Sequence, residues 1–233
     1  TVPASVTFTA ADWDTPQTVT VTGVDDSIID GTVTSTITVA VDDANSDDDF
    51  DGLDDQTVSV DTLDDDVAGF TIEETDGSTE VDESGSTDIF TIVLDAQPTN
   101  DVVVLATASN DETEATVSGS ITFTSENWDT PQTVTVTGVD DDLVDGDQTY
   151  DITISIVDTI SDDEFDGVAD QSVSSTTLDD DAPGFTIEET DAATEVDESG
   201  STDIFTVVLD AQPTSDVVLT ITSDDTGEAT VPA

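Results

Sequence analysis

The chain has 233 residues, of which 58 are Asp or Glu and none is Lys, Arg, His or Cys, giving a formal net charge of −58. Nucleic acid and anionic membrane surfaces need a basic footprint, which this chain cannot form. Salt bridges between side chains, disulfides, thiolate metal sites and the usual nucleophile–base pairs are likewise excluded, leaving carboxylates, hydroxyls and amides as its chemistry. No run of 18 apolar residues is present that could span a bilayer. High net charge with low hydrophobicity is the signature of disorder. Here, however, 34% of residues are hydrophobic, and Val and Ile are placed in alternation. Such a chain can bury a core once a cation from solution neutralises its carboxylates.

In chain order, the first elements are Thr7-Phe8-Thr9 and the block Trp13-Asp14-Thr15-Pro16-Gln17, which leads into an alternating strand, Thr18-Val19-Thr20-Val21-Thr22. Asp25, Asp26 and Asp30 follow that strand. Next come the acidic loop Asp47-Asp48-Asp49-Phe50-Asp51-Gly52 and the triplet Asp64-Asp65-Asp66. A new unit then opens with Gly69-Phe70-Thr71-Ile72-Glu73-Glu74 and Val81-Asp82-Glu83-Ser84-Gly85. Turns are signalled at Gln97-Pro98-Thr99-Asn100, Val117-Ser118-Gly119-Ser120, Asp145-Gly146-Asp147 and Asp166-Gly167. Between them the hydrophobic period is 2, as in Gln132–Thr137, Tyr150–Ile156 and Ile204–Leu209, and β-branched residues dominate.

The blocks recur. Trp13-Asp14-Thr15-Pro16-Gln17 returns at Trp128–Gln132, 115 residues on, and Gly69–Asp76 returns at Gly184–Asp191 with the same offset. The tetrapeptide Thr1–Ala4 reappears as Thr230–Ala233, so the sequence covers two periods cut out of phase with its domains. The expected organisation is the C-terminal part of one repeat (1–66), a complete repeat (67–181) and the N-terminal part of the next (182–233). A unit of this length has the size of an ordinary domain. About seven strands per unit without a helix predict tandem, all-β, antiparallel Greek-key sandwiches of immunoglobulin-like architecture. Phe70, Phe90, Phe185 and Phe205 are expected in cores, and Trp13 and Trp128 in core or edge packing.

Many acids are bunched at strand ends. Asp140-Asp141-Asp142, Asp145 and Asp147 follow one strand, Asp179-Asp180-Asp181 closes the unit, and Glu83 and Glu198 lie in Asp-Glu-Ser-Gly turns. Two carboxylates 4 Å apart repel by about 4 kcal/mol at an effective dielectric of 20. Adjacent aspartates without any basic residue therefore point to a cation. Ca²⁺, with six to eight oxygen ligands, suits them better than Mg²⁺ or Zn²⁺. A solvated acidic surface is the reading for acids outside these clusters. Asp47, Asp49, Asp51 and Gly52 match the start of an EF-hand loop, with Val58 where Glu is required, and Asp162, Glu164, Asp166 and Gly167 form its second copy. That loop is either a further Ca²⁺ site or simply solvated.

The junction Leu178-Asp179-Asp180-Asp181-Ala182-Pro183-Gly184-Phe185-Thr186-Ile187-Glu188-Glu189, followed by Val196-Asp197-Glu198-Ser199-Gly200, resembles that between tandem Calx-β domains. Val139–Asp147 is similar to that family's acidic loop. The resemblance implies an immunoglobulin-like sandwich with Ca²⁺ clustered at one end, near the joint with the next domain. Implied ligands are Glu83, Asp140, Asp141, Asp145, Asp179, Asp180 and Asp181 in the complete unit. In the flanking parts they are Asp25, Asp26, Asp30, Asp64, Asp65, Asp66 and Glu198. The family's Gly-Ser-Asp-Tyr ligand loop is missing, with Glu114 a loose substitute, and Gln148 replaces the last acid of the Asp140 loop.

The expected function is structural: a Ca²⁺-rigidified stalk or fibre segment of an extracellular bacterial surface protein or adhesin. Neighbouring repeats, and identical chains in a filament, are the expected partners. A module recognising glycan or host protein is the alternative, and a Ca²⁺ sensor a third. Paired carboxylates could in principle serve a glycosidase. A triplet repeated in every unit without pocket aromatics argues for a non-catalytic protein.

Overall fold

In a computed structural model, residues 5–109, 113–190 and 192–231 are described. Thr1–Ala4, Asp191, Pro232 and Ala233, all parts of the repeated blocks, lie outside them. The chain divides into two compact units, Thr1–Val67 and Ala68–Ala233.

The first unit holds one hairpin, β1 (Val33–Val39) with β2 (Gln56–Thr62), paired antiparallel from Val33↔Thr62 to Val39↔Gln56. Its apolar side chains are largely open to solvent. Phe8, Val19, Val39, Phe50 and Val58 are all exposed, and Trp13 is 71% exposed.

The second unit contains the residues expected to form a complete repeat. Nine strands build it: β3 (Phe70–Glu74), β4 (Thr79–Asp82), β5 (Thr87–Leu94), β6 (Val102–Ala108), β7 (Ala115–Val117), β8 (Ser120–Phe123), β9 (Gln132–Gly138), β10 (Gln148–Ile156) and β11 (Gln171–Leu178). One sheet runs β3-β5-β9-β7 and the other β4-β11-β10-β6-β8. All neighbours are antiparallel except β4 and β11, which are parallel. The strand count exceeds the expected seven because two segments each break in two. A turn at 75–78 carries the first strand from one sheet to the other, and Ser118-Gly119 separates β7 from β8.

The period of 2 now has a physical meaning. Phe90, Ile92 and Leu94 of β5 point inward, as do Val102 and Val104 of β6, Val134 and Val136 of β9, and Ile152 and Ile154 of β10; all are at most 3% exposed. Each such side chain stabilises the fold by about 1.5–3 kcal/mol relative to exposure. Hydroxyl groups between β10 and β11 are paired. The Tyr150 hydroxyl meets Thr177 Oγ1 at 3.2 Å, and Ser175 donates to it at 3.1 Å. The result is an all-β, immunoglobulin-like sandwich, as the alternation predicts.

The second unit continues into β12 (Phe185–Glu189) and β13 (Phe205–Leu209), an antiparallel hairpin with the register Phe185↔Leu209 to Glu189↔Phe205. Phe185 is 53% exposed and Phe205 36%. The expectation that these two lie in a core is therefore corrected, and Trp13, expected in core or edge packing, is largely open to solvent. Their counterparts Phe70 and Phe90 are covered by a facing sheet, whereas β12 and β13 form a two-stranded sheet by themselves among the described residues.

Candidate metal centre

One end of the sandwich gathers carboxylates from four separate stretches of sequence. Glu83 sits in the turn between β4 and β5, and its N–H donates to the Leu178 carbonyl at 3.1 Å, fixing the turn to the end of β11. Gly138, at the end of β9, presses on this turn. A Cβ there would collide with the Asp82 carbonyl oxygen, so the close approach requires glycine.

The loop after β9 and the triplet after β11 are interlocked by backbone donors. Asp179 accepts from Gly146 N–H at 2.6 Å and from Asp181 N–H at 2.9 Å, while Asp141 accepts from Leu143 N–H at 2.6 Å. Gly146 makes its donation from the left-handed region, at φ 77°, which glycine adopts without strain. These bonds hold the aspartates in place but leave other oxygens of the cluster free.

Glu83, Asp179 and Asp181 each offer an oxygen, all within 4.8 Å of one another. Among the described residues this is the one acidic group so disposed. Glu83 is 1% exposed, and its Oε2 has no hydrogen-bond partner; the same is true of buried Glu114 Oε2 and Asp181 Oδ2. Burial, then the charges of Asp141, Asp179, Glu114 and Asp145, push the Glu83 carboxyl up to about 7. Burial also raises Glu114, reinforced by Asp145 and Asp141, and raises Asp181, reinforced by Asp142 and Asp179. A buried, unpartnered carboxylate costs several kcal/mol unless it is neutralised. A metal ion among these oxygens removes that cost, and an all-oxygen donor set fits a hard cation.

Other predicted ligands are placed differently. Asp140, Asp145 and Asp180 are exposed at the rim. Glu114 was only a loose substitute in the sequence, yet it joins the cluster. Its carbonyl accepts from Val139 N–H at 2.8 Å, tying the start of β7 to the end of β9. In the first unit, Asp64 accepts from Asp30 N–H at 2.9 Å, Gly31 N–H at 2.7 Å and Asp66 N–H at 2.9 Å, and Asp26 from Ile28 N–H at 2.9 Å. Except for the Asp30 donation, these bonds repeat those of Asp179 and Asp141 one period on. Asp25, Asp26 and Asp30 are exposed, Asp64 and Asp66 half-buried and Asp65 exposed, with no counterpart of Glu83 in that unit. Glu198, in the second unit, is exposed.

The EF-hand-like loops do not assemble a ligand set. Asp162, 3% exposed, takes Thr99 N–H at 2.7 Å, Thr99 Oγ1 at 2.9 Å and Asn100 N–H at 2.7 Å on Oδ2, and Glu164 N–H at 3.2 Å on Oδ1. Burial acts to raise its pKa, but these donors outweigh it and hold the carboxyl below its ordinary value. Its oxygens clamp the 97–100 turn to the 3₁₀ turn Asp163–Phe165, where Phe165 is fully buried, while Glu164 and Asp166 face solvent. Asp47 likewise caps a 3₁₀ turn, Asp48–Phe50, through Asp49 N–H at 3.1 Å, and Asp49 and Asp51 are exposed.

The acidic loop also touches the following repeat. Gln212 N–H donates to the Asp142 carbonyl at 2.5 Å, and Leu143 and Gln212 form a parallel bridge. Among the described residues no helix is long and apolar enough to cross a membrane.

No protein-family model matches the chain, and no curated protein does. Solved structures resemble it only in part. The Escherichia coli chaperone DraB matches at 9% identity over 51% of this chain and 59% of its own, TM-score 0.35. CBD12 from CALX1.2 matches at 19% identity over 55% and 51%, TM-score 0.35. E. coli alpha-2-macroglobulin activated by porcine elastase matches at 12% identity over 58% and 12%, TM-score 0.26. The chain thus spans between about an eighth and three fifths of these structures, with scores too low to bear on function.

Proposed function

We propose that this chain is a calcium-stabilised structural segment of an extracellular bacterial surface fibre or adhesin stalk, non-catalytic, in which Ca²⁺ stiffens the joint between successive repeats. The observation that carries this reading is Glu83: a carboxylate 1% exposed with an unpartnered oxygen, among acids only, in a chain without one basic side chain. Either a proton or a bound cation has to neutralise it, and above about pH 7 a cation does so. Oxygens bound to one Ca²⁺ ion lie at most about 4.6–5.2 Å apart, twice the usual Ca–O distance, and the Glu83, Asp179 and Asp181 oxygens, all within 4.8 Å of one another, can share such an ion. A Zn²⁺ ion would draw the oxygens closer and normally use nitrogen or sulfur.

Glu83, Asp179 and Asp181 are assigned as direct ligands, with Asp141 and Glu114 completing the shell. Extracellular modules of this kind bind with dissociation constants of about 10⁻⁴–10⁻³ M, so they are occupied outside the cell and empty inside it. The contact of Asp142 with Gln212 supports the role at the joint. An ion bound between the Asp179 triplet and the Asp141 loop fixes both sides of the connection to the next repeat.

Isothermal titration of the chelated chain with CaCl₂ tests the assignment. The expected result is saturable binding that Glu83→Gln weakens at least tenfold. Binding equal in the variant and the parent would sink it.

A further inference from the structure

The chain enters and leaves the sandwich at opposite poles. β3 is antiparallel to β5 with Phe70 beside Leu94, so the entry lies at the Leu94 pole. β4 leads through the Glu83 turn into the start of β5, which puts Glu83 at the other pole. β11 runs parallel to β4, with Leu178 beside Asp82, so the exit lies with Glu83. Tension on the chain therefore draws β4 and β11 past one another along their length. Bonds of a sheared pair are loaded together, whereas a pair pulled apart from one end breaks bond by bond. β3 slides too, but it is an outer strand of its sheet, and its release only feeds out the exposed turn at 75–78. β4 then takes the load.

The β4–β11 pair is built to hold. Its register runs from Thr79↔Ser175 to Asp82↔Leu178, and the Glu83 N–H, donating to the Leu178 carbonyl at 3.1 Å, extends it by one bond. Thr79, Val81, Ser175 and Thr177 are at most 2% exposed, so water is kept from competing for the bonds between them. On its other side β4 is held by β5 and the turn before it, Glu80 N–H donating to Asp88 at 2.9 Å and Asp82 N–H to Ser86 Oγ at 2.7 Å. Glu83 directly follows β4, and Asp179 and Asp181 follow β11. An ion among their oxygens ties the two strands together across one end, in the path of the load.

We propose that β4 and β11 are the load-bearing clamp of the repeat, through which this segment carries tension along a chain, and that an ion at Glu83, Asp179 and Asp181 staples the clamp's far end. The staple rests on the calcium reading. The clamp does not.

Force spectroscopy on the full chain tests both, because no native cysteine competes with introduced handles. Val67→Cys with Pro183→Cys, both exposed and just outside the repeat, pulls along the chain. Ser78→Cys with Ser174→Cys, both exposed and each one residue before the paired segment, pulls the same two strands apart from one end. Both pairs load one folded sandwich, and forced rupture reads its unfolding barrier. In CaCl₂ the rupture force along the chain is expected to be at least twice that across the pair. Equal forces, or a stronger hold across the pair, overturn the clamp. Chelator should lower the force along the chain by at least a third, and Glu83→Gln in CaCl₂ should give the chelator value. A force unchanged by chelator takes the ion out of the load path. With calorimetric binding intact, that result overturns the staple alone; with no binding, it overturns the calcium reading as well.

Discussion

The complete repeat and the half-repeats beside it are nearly the same sequence in two circumstances. In the first, Phe90 is fully buried; in the second, its counterpart Phe205 is 36% exposed. The strands that need only a hairpin partner, β1 with β2 and β12 with β13, form in both. Those that need a partner from elsewhere in the repeat form only in the complete unit. Propensity and alternation are identical in the two places, so the difference measures how much of this fold is long-range pairing and burial rather than local preference.

Mutation can sharpen the contrast. Phe90→Ala should destabilise the central sandwich by about 3–5 kcal/mol, while Phe205→Ala should leave its unfolding unchanged in dilute solution. Denaturant unfolding of the two variants with Ca²⁺ present checks this, and equal losses would mean that the half-repeats are as well packed as the centre. A smaller effect is expected at the acidic clamp. Asp162→Ala strands two backbone donors of the 97–100 turn and should cost about 2–3 kcal/mol. Asp47→Ala, whose carboxylate caps a single exposed turn, should cost under about 1 kcal/mol in the same assay.

The stability of the metal-free sandwich should also depend on pH. The Glu83 carboxyl is raised in the folded state from 4.5 to about 7. Its contribution is therefore fully present below the unfolded value and is lost as pH rises through the folded one. Between pH 4.5 and 7 in chelator, stability should fall with rising pH by about 1–3 kcal/mol. Asp162, held low, acts only below its ordinary range. Glu83→Gln should flatten this slope, which a melting series across that window would show. A slope of the same size in the variant would place the titration elsewhere.

Much of this was legible in the sequence. The offset of 115 residues, the period of 2 in β9 and β10, and the bunching of Asp179–Asp181 and Glu83 required no coordinates. Three features did. Phe70 is buried and Phe185 exposed although each lies in the same eight-residue block, Gly-Phe-Thr-Ile-Glu-Glu-Thr-Asp, so local sequence does not separate them and a facing sheet does. Asp162 looked like a ligand because its spacing matches an ion-binding loop, but Thr99 and Asn100, more than 60 residues away, take up its oxygens. Glu114 enters the cluster through the pairing of β7 with β9, a long-range contact that spacing along the chain does not reveal.

At Glu83, Asp179 and Asp181 a cation takes the place of the missing basic residues in the proposed function. Calorimetric melting of the full chain in saturating CaCl₂ and in chelator at neutral pH addresses this most directly. At a hundred times the dissociation constant, an ion bound only by the folded state adds about 2.7 kcal/mol, which for a domain of this size raises the melting temperature by about 10 °C. A rise of that order, abolished by Glu83→Gln, is the predicted result; superimposable melts with and without Ca²⁺ would contradict it.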